Sequence, residues 1–272
     1  MTDKINIIVE SGYNTSYIST LLIALFYNNT YIDDLLLSRY LNTQKNIYLQ
    51  ETIKFELIEK VKKNQSILSD SINKIRFVSH LLGWQTLETL FKNHNVIDYL
   101  NFLLKKFEGL TYCKHNSITC IDINTNENSS VIREFYKIID TIFTDSYFDD
   151  SNYNKNNIVD YQSKIPVIRL KKLFPLITIH INREKNNYPI EIEKKFKVRY
   201  LINESIIDID WEFHSLIGLN NVYYTLISFG KKWYIFSDTL FPSFTEVDMS
   251  NPKFINKIKL EAILIIYKTK FC

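Results

Sequence analysis

Along the first hundred or so residues apolar side chains recur at helical spacing, and beyond Gly109 they come in short alternating runs. In SYISTLLIALFYN, Tyr17, Leu21, Leu22, Leu25 and Phe26 fall at i, i+4, i+5, i+8 and i+9, the stripe of a helix packed into a core. Asn14, Thr15 or Ser16 stands where that helix needs a cap. TYIDDLLLSRYL, LQETIKFELIEKVKKN, SDSINKIRFVSHLLG and VIDYLNFLLKKFEG follow with similar spacing, and Gly83 and Gly109 supply stop signals. After Gly109, SITCIDIN, PLITIHIN, FKVRYLI, SIIDIDWEF, VYYTLISF, KWYIFS and AILIIYK are short, β-branched and aromatic, several with a period of two. Polar, Asn-rich stretches at 122–130, 145–158 and 184–188 separate some of them and read as surface loops or hairpin tips. There is no repeat of fixed period. Helices first and strands afterwards predict an α+β chain with two lobes that form a cleft.

Composition narrows the class. A chain of 272 residues, 46% apolar and 23% charged, buries a substantial core as one large or two small domains. With 5 Gly and 5 Pro there is little material for long linkers. Heavy use of Asn, Ile, Lys and Tyr fits an AT-rich genome, as in large DNA viruses, some protists and some low-GC bacteria. The formal charge is +3 and the lysines are scattered among acids, so no basic stripe offers a nucleic-acid footprint. Three cysteines (Cys113, Cys120, Cys272) make no disulfide framework and point to a reducing compartment, the cytoplasm, another intracellular one or a virion-associated one. The segment MTDKINIIVESG lacks the pattern of a signal peptide, and AILIIY is too short to span a bilayer, so no membrane role is expected.

Six segments in order carry a family resemblance. NTSYISTLLIALF resembles the cysteine box of ubiquitin-specific proteases, G-N-T-C-Y-M-N-S-x-L-Q, through Asn14, Thr15, Tyr17, Leu21 and Leu22. HNVIDYLNFLL resembles the Q-D-A-x-E-F-L-x-x-L-L helix, with Asp98, Tyr99 and Leu100 over E-F-L. CIDINTNENSSVIREFYKI resembles the C-x-x-C finger segment, and FPLITIHINRE the L-P-x-V-L-x-I-H-L-x-R-F segment, with Pro175, His180 and Arg183 in register. WEFHSLIG with VYYTLISFGKKWYIFSD resembles Y-x-L-x-A-V-V…G-H-Y-T-A-Y-V…W-Y-x-F-D-D, and AILIIYK the closing strand. The resemblance spans residues 10 to 270. It implies one papain-like domain over 1–272 of the ubiquitin-specific-protease type: a helical thumb at 1–108, β-rich fingers at 109–165 and a palm at 166–272. The family's substrate lies on the palm, its tail threading between thumb and palm.

The chemistry departs from the family at each role. A cysteine protease needs a thiolate, a base, a group orienting the base and donors for the oxyanion. By resemblance these positions fall on Ser16, Tyr223, Ser237 and, for the oxyanion, Ser11. A serine needs a base even more than a cysteine does, and tyrosine, with a reference pKa of about 10, is a poor one. Asp238 matches the second acid of F-D-D, but there is no histidine for it to orient. His180 and His214 sit at strand positions, His94 belongs to the thumb helix, and His80 and His115 match no role. In the finger segment, Cys120 has Ile123 where its partner cysteine belongs, and Cys113 lies seven residues upstream, which fits no tight zinc knuckle. No metal and no cofactor are expected.

The sequence therefore points to a protease-shaped domain without protease chemistry, acting as a binding or scaffolding module for ubiquitin, a ubiquitin-like protein or another protein. Asn14, Tyr17, Tyr224 and Trp233 are the cleft candidates, core packing being the plainer account of the aromatic ones. Tyr223 is expected to plug the channel of a diglycine tail, and Ser16 to cap its helix. Two alternatives stay open. One is an active peptidase with Ser16 as nucleophile, natural or replacing a cysteine. The other is a scaffold repurposed as a structural component of a viral particle or complex.

Overall fold

The computed structural model describes residues 5, 7–27, 43–107, 120–123, 159–160, 165–169, 176–183, 188–202 and 205–269. The helix expected in TYIDDLLLSRYL and most of the Asn-rich stretches lie outside them. The helices α1 (Ser16–Phe26), α2 (Gln44–Ile53), α3 (Glu59–Lys62), α4 (Ser69–Leu81) and α5 (Val96–Lys106) come first. The strands β1 (Cys120–Ile123), β2 (Val159–Asp160), β3 (Ile165–Arg169), β4 (Leu176–Ile181), β5 (Lys195–Ile202), β6 (Ser205–Asn220), β7 (Val222–Phe229), β8 (Lys232–Phe236) and β9 (Phe244–Val247) follow. Helix α6 (Pro252–Glu261) and strand β10 (Ala262–Thr269) close the described chain.

Helix and mixed, largely antiparallel sheet thus succeed one another as the pattern predicts, with three departures. The segment LQETIKFELIEKVKKN is not one α-helix: a π-helical turn at Lys54–Ile58 separates α2 from α3. Helix α6 interrupts the strands, and β3 and β9 lie in segments outside the alternating runs. His94 lies before α5 rather than in it; the helix starts after Asn95, whose side chain accepts the Ile97 N–H at 2.8 Å.

The chain divides into two compact units, residues 1–112 with 215–255, and 113–214 with 256–272; β6 contributes to both. In the first unit the end of β6 pairs with β7, β7 with β8 and β8 with β9, an antiparallel meander. Helix α1 is its centre. Every residue from Tyr17 to Phe26 is buried, so this helix is enclosed on all sides rather than packed by one face. Two strand hydroxyls reach it: Ser215 donates to the Ala24 carbonyl at 2.7 Å and Thr225 to the Thr20 carbonyl at 2.8 Å. Tyr17, Trp84 and Tyr99 pack edge-on around the helix start, and the Trp84 indole donates to the Tyr17 hydroxyl at 3.1 Å.

In the second unit β4 lies between β1 and β10, parallel to the first and antiparallel to the second, and β5 pairs with the first part of β6. One face of the β5–β6 ribbon is apolar, with Phe196, Trp211 and Tyr267 in ring contact. On the other, Lys195 pairs with Glu212 and Lys197 faces Asp210 at 3.8 Å. That alternation is the period-two pattern of FKVRYLI and SIIDIDWEF made physical. Arg183 holds the end of α6: its guanidinium donates to the carbonyls of Ala262, Tyr188 and Lys259 at 2.7, 2.7 and 2.6 Å.

Candidate functional site

All the positions read as catalytic fall in the first unit. The register of β7 on β8, Thr225 opposite Phe236, carries Tyr223 and the Ser237–Asp238 pair to one end of the meander. Asp238 is 5% exposed and receives the Ser19 hydroxyl on Oδ2 at 2.6 Å, which ties that end to the first turn of α1. Ser16, the first residue of α1, and Ser11 add their hydroxyls to the surroundings of the same carboxylate. Burial pushes the Asp238 carboxyl above its ordinary pKa, while the hydroxyls of Ser19 and Ser16, its own N–H and the Ser11 hydroxyl pull it back. Its Oδ1 has no partner at hydrogen-bond distance.

Tyr223, expected from the resemblance to stand at the base position, is buried. Its hydroxyl donates to the His94 carbonyl at 3.4 Å and meets the Val96 N–H, one of the unsatisfied donors at the start of α5. Desolvation raises its pKa above the ordinary tyrosine value, only partly offset by the Val96 N–H, and Asp98 raises it further. A tyrosinate base is thereby made scarcer still. Ser237, 1% exposed, exchanges a hydrogen bond with the Thr239 hydroxyl at 2.9 Å and donates to the Tyr223 carbonyl at 3.4 Å. Both side chains are absorbed into local structure.

The cap of α1 differs from expectation. Thr15, not Ser16, holds the N-cap position and gives no side-chain capping bond; its Oγ1 is buried without a partner. The loop before it is fixed from elsewhere. Ser243 both accepts the Val9 N–H at 2.9 Å and donates to the Val9 carbonyl at 3.0 Å, and its own carbonyl takes the Ser237 N–H. Arg76, nearly buried, donates to the Tyr13 carbonyl and to Asn73, with its guanidinium 4.5 Å from the Phe91 ring centre.

The four cleft candidates stand in different surroundings. Asn14 is exposed at φ 54° and donates to the Phe91 carbonyl. Tyr17 is fully enclosed, and Tyr224 is buried with its ring over Gly218. Trp233 is half-buried at the far end of β8 from Ser237, and its neighbour Tyr234 faces the core. Among the histidines, His94 contacts Tyr17 and Trp84 edge-on and binds the Thr89 carbonyl at 2.8 Å, while His80 Nδ1 binds the Gln85 carbonyl at 2.9 Å. His180 lies on β4, and His214 is buried on β6. Cys113 and His115 are outside the described residues, and among those described no three His, Cys, Asp or Glu side chains form a metal-binding group. No described helix is long and apolar enough to cross a membrane.

Ser19 and Ser243 went unremarked in the sequence. The spacing of Ser16 and Ser19, three residues on one helix face, is a signal that would have found the first. Ser243 joins segments 234 residues apart and has no local signature. The turns at this end expose apolar side chains: Leu219 and Val222 beside the β6–β7 turn, and Leu240 and Phe241 between β8 and β9, Phe241 at 84%.

No family model matches the chain, and no curated protein matches it. Solved structures do. The SAGA DUB module containing Ubp8, with Sgf11, Sus1 and Sgf73 and bound to monoubiquitin, matches at a TM-score of 0.56 and 11% identity, over 97% of this chain and 68% of that one. The Saccharomyces cerevisiae Pan2 pseudoubiquitin hydrolase–RNA exonuclease module, in complex with RNA, matches at 0.54 and 12%, over 96% of this chain and 53% of that one. At such identities the likeness is one of fold. The fold is ubiquitin-hydrolase-like.

Proposed function

We propose that the chain is a catalytically inactive ubiquitin-specific-protease-like domain that binds ubiquitin or a ubiquitin-like protein as a module of a larger assembly. The thumb, finger and palm assignments made from the sequence, and a reducing cytoplasmic setting, belong to the same proposal. The observation that carries it is Tyr223. The position that would hold the base is filled by a phenol whose pKa is moved away from usefulness by burial, and whose hydroxyl completes the start of α5. Ser237 is spent in the same way. The exposed apolar turns at this end, Leu219 with Val222 and Leu240 with Phe241, supply a rim on which an extended, weakly polar tail would pack with its end toward Ser16. One neighbour of the same fold is bound to monoubiquitin and another is a pseudoubiquitin hydrolase, which supports a binding role without chemistry.

The nearness of Asp238 to Ser16 favours one alternative, a hydrolase in which that carboxylate takes the serine proton. A single experiment separates the two. Ubiquitin carrying a C-terminal electrophile is incubated with the protein, and monoubiquitin binding is measured by titration. Binding without labelling is expected. Labelling at Ser16 would establish the hydrolase, and neither labelling nor binding at millimolar ubiquitin would point to a repurposed scaffold. Ser16→Cys is expected to react no faster than a free thiol, since no histidine stands at 223.

A further inference from the structure

Helix α4 carries apolar side chains where a surface helix turns polar ones to solvent. Its buried stripe is Ile72, Ile75 and Ser79, yet on the opposite side Phe77 is 53% exposed and Leu81, one turn on, 60%. The turn after the helix extends this face. His80 touches the Phe77 ring and binds the Gln85 carbonyl at 2.9 Å, and from that turn Leu87 is 69% and Phe91 54% exposed. Arg76, next to Phe77, lies 4.5 Å from the Phe91 ring centre and donates to the Tyr13 carbonyl, which brings Tyr13, 70% exposed, alongside.

An aromatic side chain covers about 150–250 Å² and a leucine somewhat less, so these five expose about 500–700 Å². The largest apolar patch on a typical monomer is about 300–600 Å², and one side of a standard interface is about 800 Å². A polar rim supplies the difference. Glu88 and Lys92, on the same turn, are exposed, and neither forms an ion pair among the described residues, whereas Lys74 is taken by Glu56 at 2.6 Å. An anionic membrane calls for a basic rim. A rim with one charge of each sign is self-complementary instead, because a two-fold axis sets Glu88 of one copy against Lys92 of the other, twice over.

We propose that this face joins two copies of the chain in a symmetric dimer, with Phe77, Leu81, Leu87 and Phe91 at its centre and Glu88 facing Lys92 at its rim. The dimer belongs to the first unit alone and does not depend on the ubiquitin-binding role.

The test is sedimentation velocity on the 272-residue chain from about 1 to 200 μM. Twice the monomer mass is expected at the upper end. Phe77→Glu is expected to weaken the dimer at least about tenfold with an unchanged circular-dichroism spectrum. Leu81→Ser, at another exposed position, serves the same purpose if Phe77→Glu folds poorly. Phe55→Ser removes an equally exposed apolar side chain on the π-helical turn and is expected to leave the affinity within about twofold. Glu88→Lys is expected to weaken the dimer about threefold, and adding Lys92→Glu to restore it. A monomer at every concentration, a dimer indifferent to both Phe77→Glu and Leu81→Ser, equal weakening by Phe55→Ser, or no recovery in the double charge swap would each overturn the proposal. A monomer that floats with anionic lipid vesicles would overturn it too, and would assign the face to a membrane.

Discussion

Tyr223→Phe is the sharpest probe of whether the Tyr223 hydroxyl is part of the fold. The substitution keeps the ring, which is 9% exposed, and removes only the hydroxyl. That hydroxyl donates to the His94 carbonyl at 3.4 Å, a long bond, and meets the Val96 N–H at the start of α5. A neutral intramolecular hydrogen bond contributes about 0.5–1.5 kcal/mol net, and a buried donor left unmet costs about 1–3. Because the site retains some solvent access and one bond is long, a loss of about 1–2 kcal/mol is expected, lowering Tm by about 3–6 °C. Tyr223→His should cost more, since the imidazole forfeits the phenol's reach as well as its hydrogen bonds. The assay is urea unfolding followed by circular dichroism, with the midpoint moving at constant slope. A midpoint for Tyr223→Phe within about 0.3 kcal/mol of wild type would refute the claim that this tyrosine has been built into the structure.

Other consequences can be measured in the same way. Burial acts to raise the Glu56 pKa, but Lys74, Lys60 and Ser71 outweigh it and bring the group from 4.5 to about 2. Because its folded pKa is depressed, its contribution is fully present above about 4.5 and is lost as pH falls through about 2; Glu56→Gln should therefore cost about 1–2 kcal/mol at pH 7, a gap that closes in that acid window. Asp238 has the opposite sign. Its raised pKa means that stability grows as pH falls toward and below the folded value, so Asp238→Asn should be as stable as wild type or more so at pH 7 in thermal melts. Arg183→Ala removes three charge-assisted bonds to carbonyls and should cost about 2–4 kcal/mol in urea unfolding, with lysine recovering less than half, because a point charge does not reproduce a planar fork. A Cβ on Gly218 would overlap the Tyr224 ring, so Gly218→Ala should destabilise by about 1–3 kcal/mol, and Tyr224→Val in the same chain should relieve part of it.

Much of this architecture was legible in the sequence because it is written in local periodicity. The stripe through Tyr17 and Phe26, the stop at Gly83 (φ 95°) and the alternation of VYYTLISF each declare an element from its own residues. The π-turn at Lys54–Ile58 has no such mark, since a helix that widens by one residue per turn keeps the same apolar texture. The candidate site was legible as positions and not as contacts. Ser16, Tyr223 and Ser237 could be found by matching motifs, but what each now touches is decided by long-range packing: Ser19 on Asp238, Ser243 on Val9, Tyr223 on the start of α5. The Ser16 hydroxyl, expected to cap a helix, instead sits beside a buried acid, because Thr15 already occupies the cap position.

Helix α1, enclosed from Tyr17 to Phe26, divides the chain into positions with very different freedom to change. A residue surrounded on all sides tolerates only substitutes of its own volume, whereas Ser11 and Ser16, just before that stretch, touch solvent and are less tightly constrained. On the proposed reading, in which catalysis is not selected, the two regions should age at different rates. Homologues of this chain are expected to keep the shape of residues 17–26 long after positions 11 and 16 have become unrecognisable. Ancestry would then be read from the scaffold rather than from the reactive centre, the reverse of what holds for working enzymes.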